Sequence, residues 1–157
     1  EYRELNNPKV YYNEDYRKFV LNQRSGFNTL TASLINEGQD EKARDVTLKN
    51  LDAMPDVAIP YDYTTSTTIE YLLVLGEKER AIAMAKVLGT RADEKVGYYL
   101  KNNNNIGFEL QQNLIILRDL ADIMGRYGEL ELSEQFSNAF ESYYNMMGIN
   151  QGGRSTR

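Results

Sequence analysis

The stretch FNTLTASLINEGQDEKARDVTLKNLDAMP, residues 27–55, decides how this chain folds. Phe27, Leu30 and Leu34 stand three and four apart, the spacing of one helix face. Gly38 stops the pattern, as a residue tolerant of positive φ does at a helix end. Apolar positions resume near Asp40 with Ala43, Val46, Leu48 and Leu51. Pro55 lies past them, where a missing backbone donor does least harm. The segment predicts a helical hairpin.

The first helix extends upstream through Phe19 and Val20, with Asn13 as N-cap and Glu14 and Asp15 in its first turn against the helix dipole. Downstream, DVAIPYDYTT reads as a connector, because Pro60 biases Ile59 to an extended conformation. Helical spacing returns at Ile69, Leu72 and Leu73, breaks at Gly76, and resumes with Ala81, Met84, Ala85 and Leu88. A separate helix is expected over Ala92–Lys101, ending in the asparagines at 102–105. A long helix then carries Leu110, Leu114, Leu117, Leu120, Ala121 and Met124 as far as Gly128. The last carries Leu132, Phe136, Ala139, Phe140, Tyr143 and Met147, with Glu129, Glu131 and Glu134 about its first turn.

Helix, glycine, helix therefore occurs three times, around Gly38, Gly76 and Gly128. Five residues past the first two glycines stand Ala43 and Ala81. The tetratricopeptide repeat has this grammar over about 34 residues, with a small alanine where its two helices cross closely. Phe27, Leu30, Leu34, Gly38, Ala43 and Pro55 all fit it, Phe27 and Leu30 as fillers between hairpins. The second copy puts Thr65 and Thr68 where large residues belong, and the third has Ser133 at the alanine position. The fold expected is all-α: tetratricopeptide-like hairpins stacked as a short right-handed α-solenoid of about seven helices. One domain over 13–148 is expected, between an extension at 1–12 and a flexible tail at 149–157.

Composition narrows the function classes. The chain has 157 residues, a formal charge of −5 and no Lys/Arg cluster, which disfavours a nucleic-acid partner. It has no cysteine and no histidine, so thiolate chemistry, Ser-His pairs and the usual zinc ligands are excluded. A chain free of cysteine suits a reducing compartment, and a helical periplasmic domain equally. The longest aliphatic runs, Leu72–Leu75 and Leu114–Leu117, fall far short of the roughly 20 residues of a membrane helix. The chain opens on Glu1 rather than Met, so a piece of a longer protein is expected.

No phosphate loop, calcium loop or cofactor motif is present: GEKERA at 76–81 lacks the second glycine and the Lys-Ser/Thr ending. Asp119 and Asp122 share a helix face and form either a carboxylate pair or a solvated face with Arg118 and Arg126. The twelve tyrosines serve the edges of a core without tryptophan, or stack on sugars or peptides; Tyr61 and Tyr63, on the connector, are best placed for stacking. If the first helix of each hairpin lines a groove, the lining includes Asn28, Asn36, Tyr63, Glu70, Arg118, Asp122 and Arg126. Such a mixed polar surface suits a peptide or protein partner, or packs on another part of the same protein.

Four segments carry a family resemblance: KVYYNEDYRKFVLNQRSGFNTL (9–30), LINEGQDEKA (34–43), MPDVAIPYDYTT (54–65) and LQQNLIILRDLADIMGRYGELELSEQF (110–136). Together they resemble the soluble C-terminal region of large bacterial multi-pass membrane proteins described as protein O-mannosyltransferase-like. The resemblance spans roughly residues 9 to 145. It implies a parent with a membrane-embedded glycosyltransferase-like part, and a periplasmic position for this region. It supplies no catalytic residue. The function expected is a non-catalytic repeat domain that receives a protein partner or acceptor substrate for the attached membrane enzyme. A hydrolase or glycan-binding module using carboxylates and tyrosines is one alternative. A structural or dimerising tail is another.

Overall fold

The computed structural model describes residues 5–7, 9, 14–102 and 107–148, with side chains from Lys18 onward in the first helix. Asn13, most of the extension at 1–12 and the tail at 149–157 lie outside the described residues. Six helices stand among those described: α1 Glu14–Asn36, α2 Asp40–Ala53, α3 Thr64–Val74, α4 Lys78–Lys101, α5 Phe108–Arg126 and α6 Leu130–Met146. No strand occurs among them.

About seven helices were expected. The segment from Ala92 to Lys101 is not a separate helix but the continuation of α4. Ala81, Met84, Ala85, Leu88, Ala92 and Val96 form one buried stripe along it. Gly89 sits mid-helix for a packing reason, since a Cβ there would lie 2.2 Å from Phe136 Cε1.

One turn design joins each hairpin. Gly38, Gly76 and Gly128 have φ of 70°, 82° and 82°, the left-handed region that glycine enters without a Cβ clash. The amide after each glycine donates five residues back: Gln39 to Leu34 at 2.8 Å, Glu77 to Leu72 at 2.8 Å and Glu129 to Met124 at 2.8 Å. The glycine amides donate to Ile35, Leu73 and Gly125. These paired bonds satisfy carbonyls that a helix end leaves open. The carbonyls of Gln39, Glu77 and Glu129 then accept from Ala43, Ala81 and Ser133, so the next helix starts at once. The fifth residue after the glycine is therefore the first amide donor of the new helix. Ala43 and Ala81 are fully buried there.

The contacts gather into two compact units, Glu1–Met84 and Ala85–Arg157. In the first, α1 packs on α2 and α3, and α2 on α3. Leu5, Val20, Met54 and Ile59 form a cluster, with Phe27, Ala53 and Ala58 against it. Leu30 departs from its expected role as filler: it is 48% exposed, and Phe19 is 49% exposed. The inward face of α1 is instead Val20, Arg24, Asn28 and Thr31, three of them polar. Across from these lie Thr64 and Thr68 of α3 and Thr47 of α2. Thr68 stands where the repeat calls for a large residue and closes this seam by a hydrogen bond to Asn28 instead of bulk, while the buried Thr65 accepts the Asp62 amide at the start of α3.

In the second unit α5 packs on α6, where Ala121 and Gly125 meet Ser133, and Leu117, Leu120 and Met124 of α5 are fully buried. Phe136 and Tyr143 of α6 reach α4. Phe136 lies over Gly89, and the Tyr143 hydroxyl donates to Asp93 Oδ1 at 2.7 Å. Burial, then the bond to Asp93, pushes the Tyr143 phenol up to about 12. A phenol whose pKa is raised on folding adds stability that is complete below its ordinary value near 10. That stability is lost as pH climbs from about 10 through about 12. In an ultraviolet titration of the tyrosinate band, Tyr143→Phe should delete the highest-pH step and leave the lower ones in place.

Candidate functional site

Two places gather polar side chains. The first is the connector between α2 and α3. Arg24, 3% exposed, projects from α1 into it. Its Nη2 donates to the carbonyls of Ile59 at 2.8 Å and Met54 at 3.1 Å, and its Nη1 to that of Pro60 at 3.0 Å. Nη1 also pairs with the Asp62 carboxylate. Asp62 in turn caps α3, since its Oδ1 accepts the Thr64 amide at 2.8 Å while Thr65 Oγ1 accepts the Asp62 amide at 3.2 Å. The planar five-donor fork of arginine matches this set of converging acceptors, which a lysine point charge could not.

The sequence-derived site residues of the first unit are distributed around this latch. Asn28, expected on an open groove, is buried; its amide donates to the Thr64 carbonyl at 2.9 Å and accepts from Thr68 Oγ1 at 2.8 Å. Both ends of the amide are thus spent on packing α1 against α3. Asn36 is exposed at the end of α1. Tyr61 lies under the Arg24 guanidinium, 5.8 Å from it, and Tyr63 is 45% exposed beside it in sequence. Glu70 is half-buried, and its charge adds to burial in holding the Tyr71 phenol above its ordinary value. These residues do not converge on one cavity.

The second place is between α5 and α6. Here Ser133 Oγ donates to the Ala121 carbonyl at 2.7 Å, and a Cβ on Gly125 would lie 3.0 Å from Ser133 Oγ. Small residues on both helices bring them close and leave an open depression of about 430 Å³ lined by Ala121, Asp122, Gly125, Arg126, Ser133 and Ser137. Asp122 and Arg126, two of the expected site residues, form its charged rim, paired at 3.1 Å. Arg118, the third from α5, is paired with Asp119 at 2.9 Å. Asp119 and Asp122 thus each face an arginine.

Phe108, Ile115 and Asp122 follow at seven-residue spacing, with Arg126 one turn on, so they share one face of α5. It is the face turned away from Leu110, Leu117 and Met124. Phe108 is 74% and Ile115 42% exposed. This face is apolar toward its start and charged toward its end. No family model, curated protein or solved structure matches this chain. No group of three or more potential metal-ligating side chains occurs among the described residues, and no described helix is long and apolar enough to cross a membrane.

Sequence reasoning missed Arg24, Ser133 and Ser137 as site-forming groups. Arg24 carries a usable signal: it falls four residues from both Val20 and Asn28, so a charge stands on the inward stripe of α1. Ser133 and Ser137 carry none, because their part depends on how closely two helices approach.

Proposed function

We propose that this chain is a non-catalytic interaction module of tetratricopeptide-like hairpins, stacked as a short right-handed α-solenoid. It receives a protein or acceptor-peptide partner for a membrane glycosyltransferase-like parent. The observation that carries this reading is the outward face of α5. There Phe108 and Ile115 offer apolar anchors, while Arg118, Asp122 and Arg126 supply charge beside the open depression. Apolar anchors rimmed by pairing charge are what protein interfaces use. Three hairpins closed by one turn design support the repeat reading. In the parent, the module sits on the periplasmic side of the cytoplasmic membrane.

A display library of random peptides selected against the whole chain tests this. Selection should yield peptides whose affinity falls at least tenfold in the Phe108→Asp, Ile115→Asp variant. Enrichment no better than on a bare support, or affinity unchanged in the variant, would count against it. The glycan alternative needs Tyr61 and Tyr63 as stacking platforms, and the Arg24 guanidinium already covers a face of Tyr61.

A further inference from the structure

Three hairpins closed by one turn design allow the same position to be compared three times, counted from the turn glycine. We infer that copies of this chain join head to tail, the outer face of α1 on one copy seated against the α5–α6 face of another. This rests on the stacked-hairpin part of the interaction-module reading and adds a partner, a second copy of the chain.

The positions eleven, eight and four before the glycine form the first set. In the second hairpin they are Thr65, Thr68 and Leu72, and in the third Leu117, Leu120 and Met124. None of these is more than 2% exposed. In the first hairpin they are Phe27, Leu30 and Leu34, where Leu30 is 48% exposed and the other two are half-buried. Gly26, one turn before Leu30, has nothing within 4 Å of where a Cβ would stand. Arrays of helical hairpins finish in caps with a polar outer face, and this outer face is apolar.

The positions ten and seven before the glycine, with those nine and twelve after it, show the opposite pattern. They are Asn28, Thr31, Thr47 and Asn50 in the first hairpin, and Ser66, Ile69, Ala85 and Leu88 in the second, all buried. In the third they are the exposed Arg118 and the half-buried Ala121, Ser137 and Phe140. The first hairpin thus lacks cover on one set, the last on the other, and the middle hairpin on neither.

The two sets meet each other inside the first unit. Thr68, eight before Gly76, donates to Asn28, ten before Gly38, at 2.8 Å, as α3 packs on α1 and α2. Their uncovered counterparts are Leu30 and Arg118. Repeating the contact between two copies lays Leu30 along the aliphatic stem of Arg118, whose guanidinium keeps its bond to Asp119 at 2.9 Å. It also brings Phe27 and Leu34 toward Ala121 and Phe140. The repeat itself therefore selects the occupant, since each open face is of the kind that meets the other between α1 and α3. Because the two faces differ, the contact is heterologous, and growth does not stop at two copies.

Sedimentation of the whole chain over a range of concentrations tests this. The mass should climb past that of a dimer as concentration rises. Leu30→Asp, at an exposed position, and Phe140→Asp should each stay monomeric alone over the same range. Mixed in equal amounts, they should form a one-to-one dimer and nothing larger, because each keeps one working face. If Phe140→Asp loses the helical melting transition of the parent, Arg118→Glu, also at an exposed position, takes its place. A parent that stays monomeric or stops at a dimer, association that survives in either variant, or a mixture that remains monomeric would overturn the inference. Display-selected peptides that bind through Phe108 and Ile115 while the parent stays monomeric would remove this contact and leave the interaction reading standing. Chains that join while no peptide binds would support the contact and count against peptide reception.

Discussion

Arg24→Met should lower the stability of α1–α3 by about 3–5 kcal/mol, the cost of removing one partner from a buried pair. Methionine keeps much of the volume, so the loss isolates the guanidinium. Without it the carbonyls of Met54 and Ile59 are left buried and unpaired, the Pro60 carbonyl loses its donor, and Asp62 loses its counter-charge. Asp62 also caps α3, so the damage spreads from the connector into a helix. Arg24→Lys should recover less than half, because an ammonium cannot serve this fork of acceptors. Native-state hydrogen exchange of the α1 and α3 amides reads the effect. Protection unchanged in Arg24→Met would mean that the latch carries no stability. In a double-mutant cycle, Arg24→Met with Asp62→Asn should cost less than the sum of the two, since each removes the other's partner.

The second large effect is at the contact of α4 with α6. Phe136, 2% exposed, fills the place that a side chain at Gly89 would occupy. Phe136→Ala should cost about 3–5 kcal/mol, as cavities left by buried aromatic rings do. Gly89→Ala is the sharper experiment. On helix propensity alone it should gain roughly 1 kcal/mol. With a Cβ 2.2 Å from Cε1 and 2.6 Å from Cζ of Phe136, it should instead lose about 1–3 kcal/mol through overpacking. Shortening the ring partner should reverse the sign: in a Phe136→Leu background, Gly89→Ala should become neutral or stabilising. Urea unfolding of the four proteins would show it. A gain from Gly89→Ala in the native background would mean that the ring is not packed there.

The hairpins were legible because glycine and proline mark ends through backbone geometry that needs no tertiary context. Gly38, Gly76 and Gly128 each close a turn, and α2 ends before Pro55. What misled was the assumption that an inward stripe is apolar. Leu30 and Phe19 obey helical spacing yet are half exposed, because α1 turns Arg24, Asn28 and Thr31 inward to meet threonines. Hydrophobic periodicity has no means of seeing a seam closed by hydrogen bonds. Gly89 stands inside α4 for the ring of a residue 47 positions away (136 − 89), a contact that helical spacing does not record.

The site was legible on one side only. Asp122 and Arg126 show themselves by charge and by spacing along a single helix, which sequence records. The opposite wall, Ser133 and Ser137, exists only once α6 closes on α5. Asn28 illustrates the reverse error: a polar residue on the first helix of a hairpin reads as groove lining, and here it is buried with both amide ends engaged.

The construction as a whole depends on small side chains after the glycine turns, which let paired helices come together. Ala43, fully buried five residues past Gly38, is the position where this is most exposed to test. The decisive measurement is the thermal unfolding of Ala43→Trp beside the parent chain. A lower midpoint, reflecting overpacking of about 1–3 kcal/mol or more, is expected. A variant that melts together with its parent would show that the helices do not meet there.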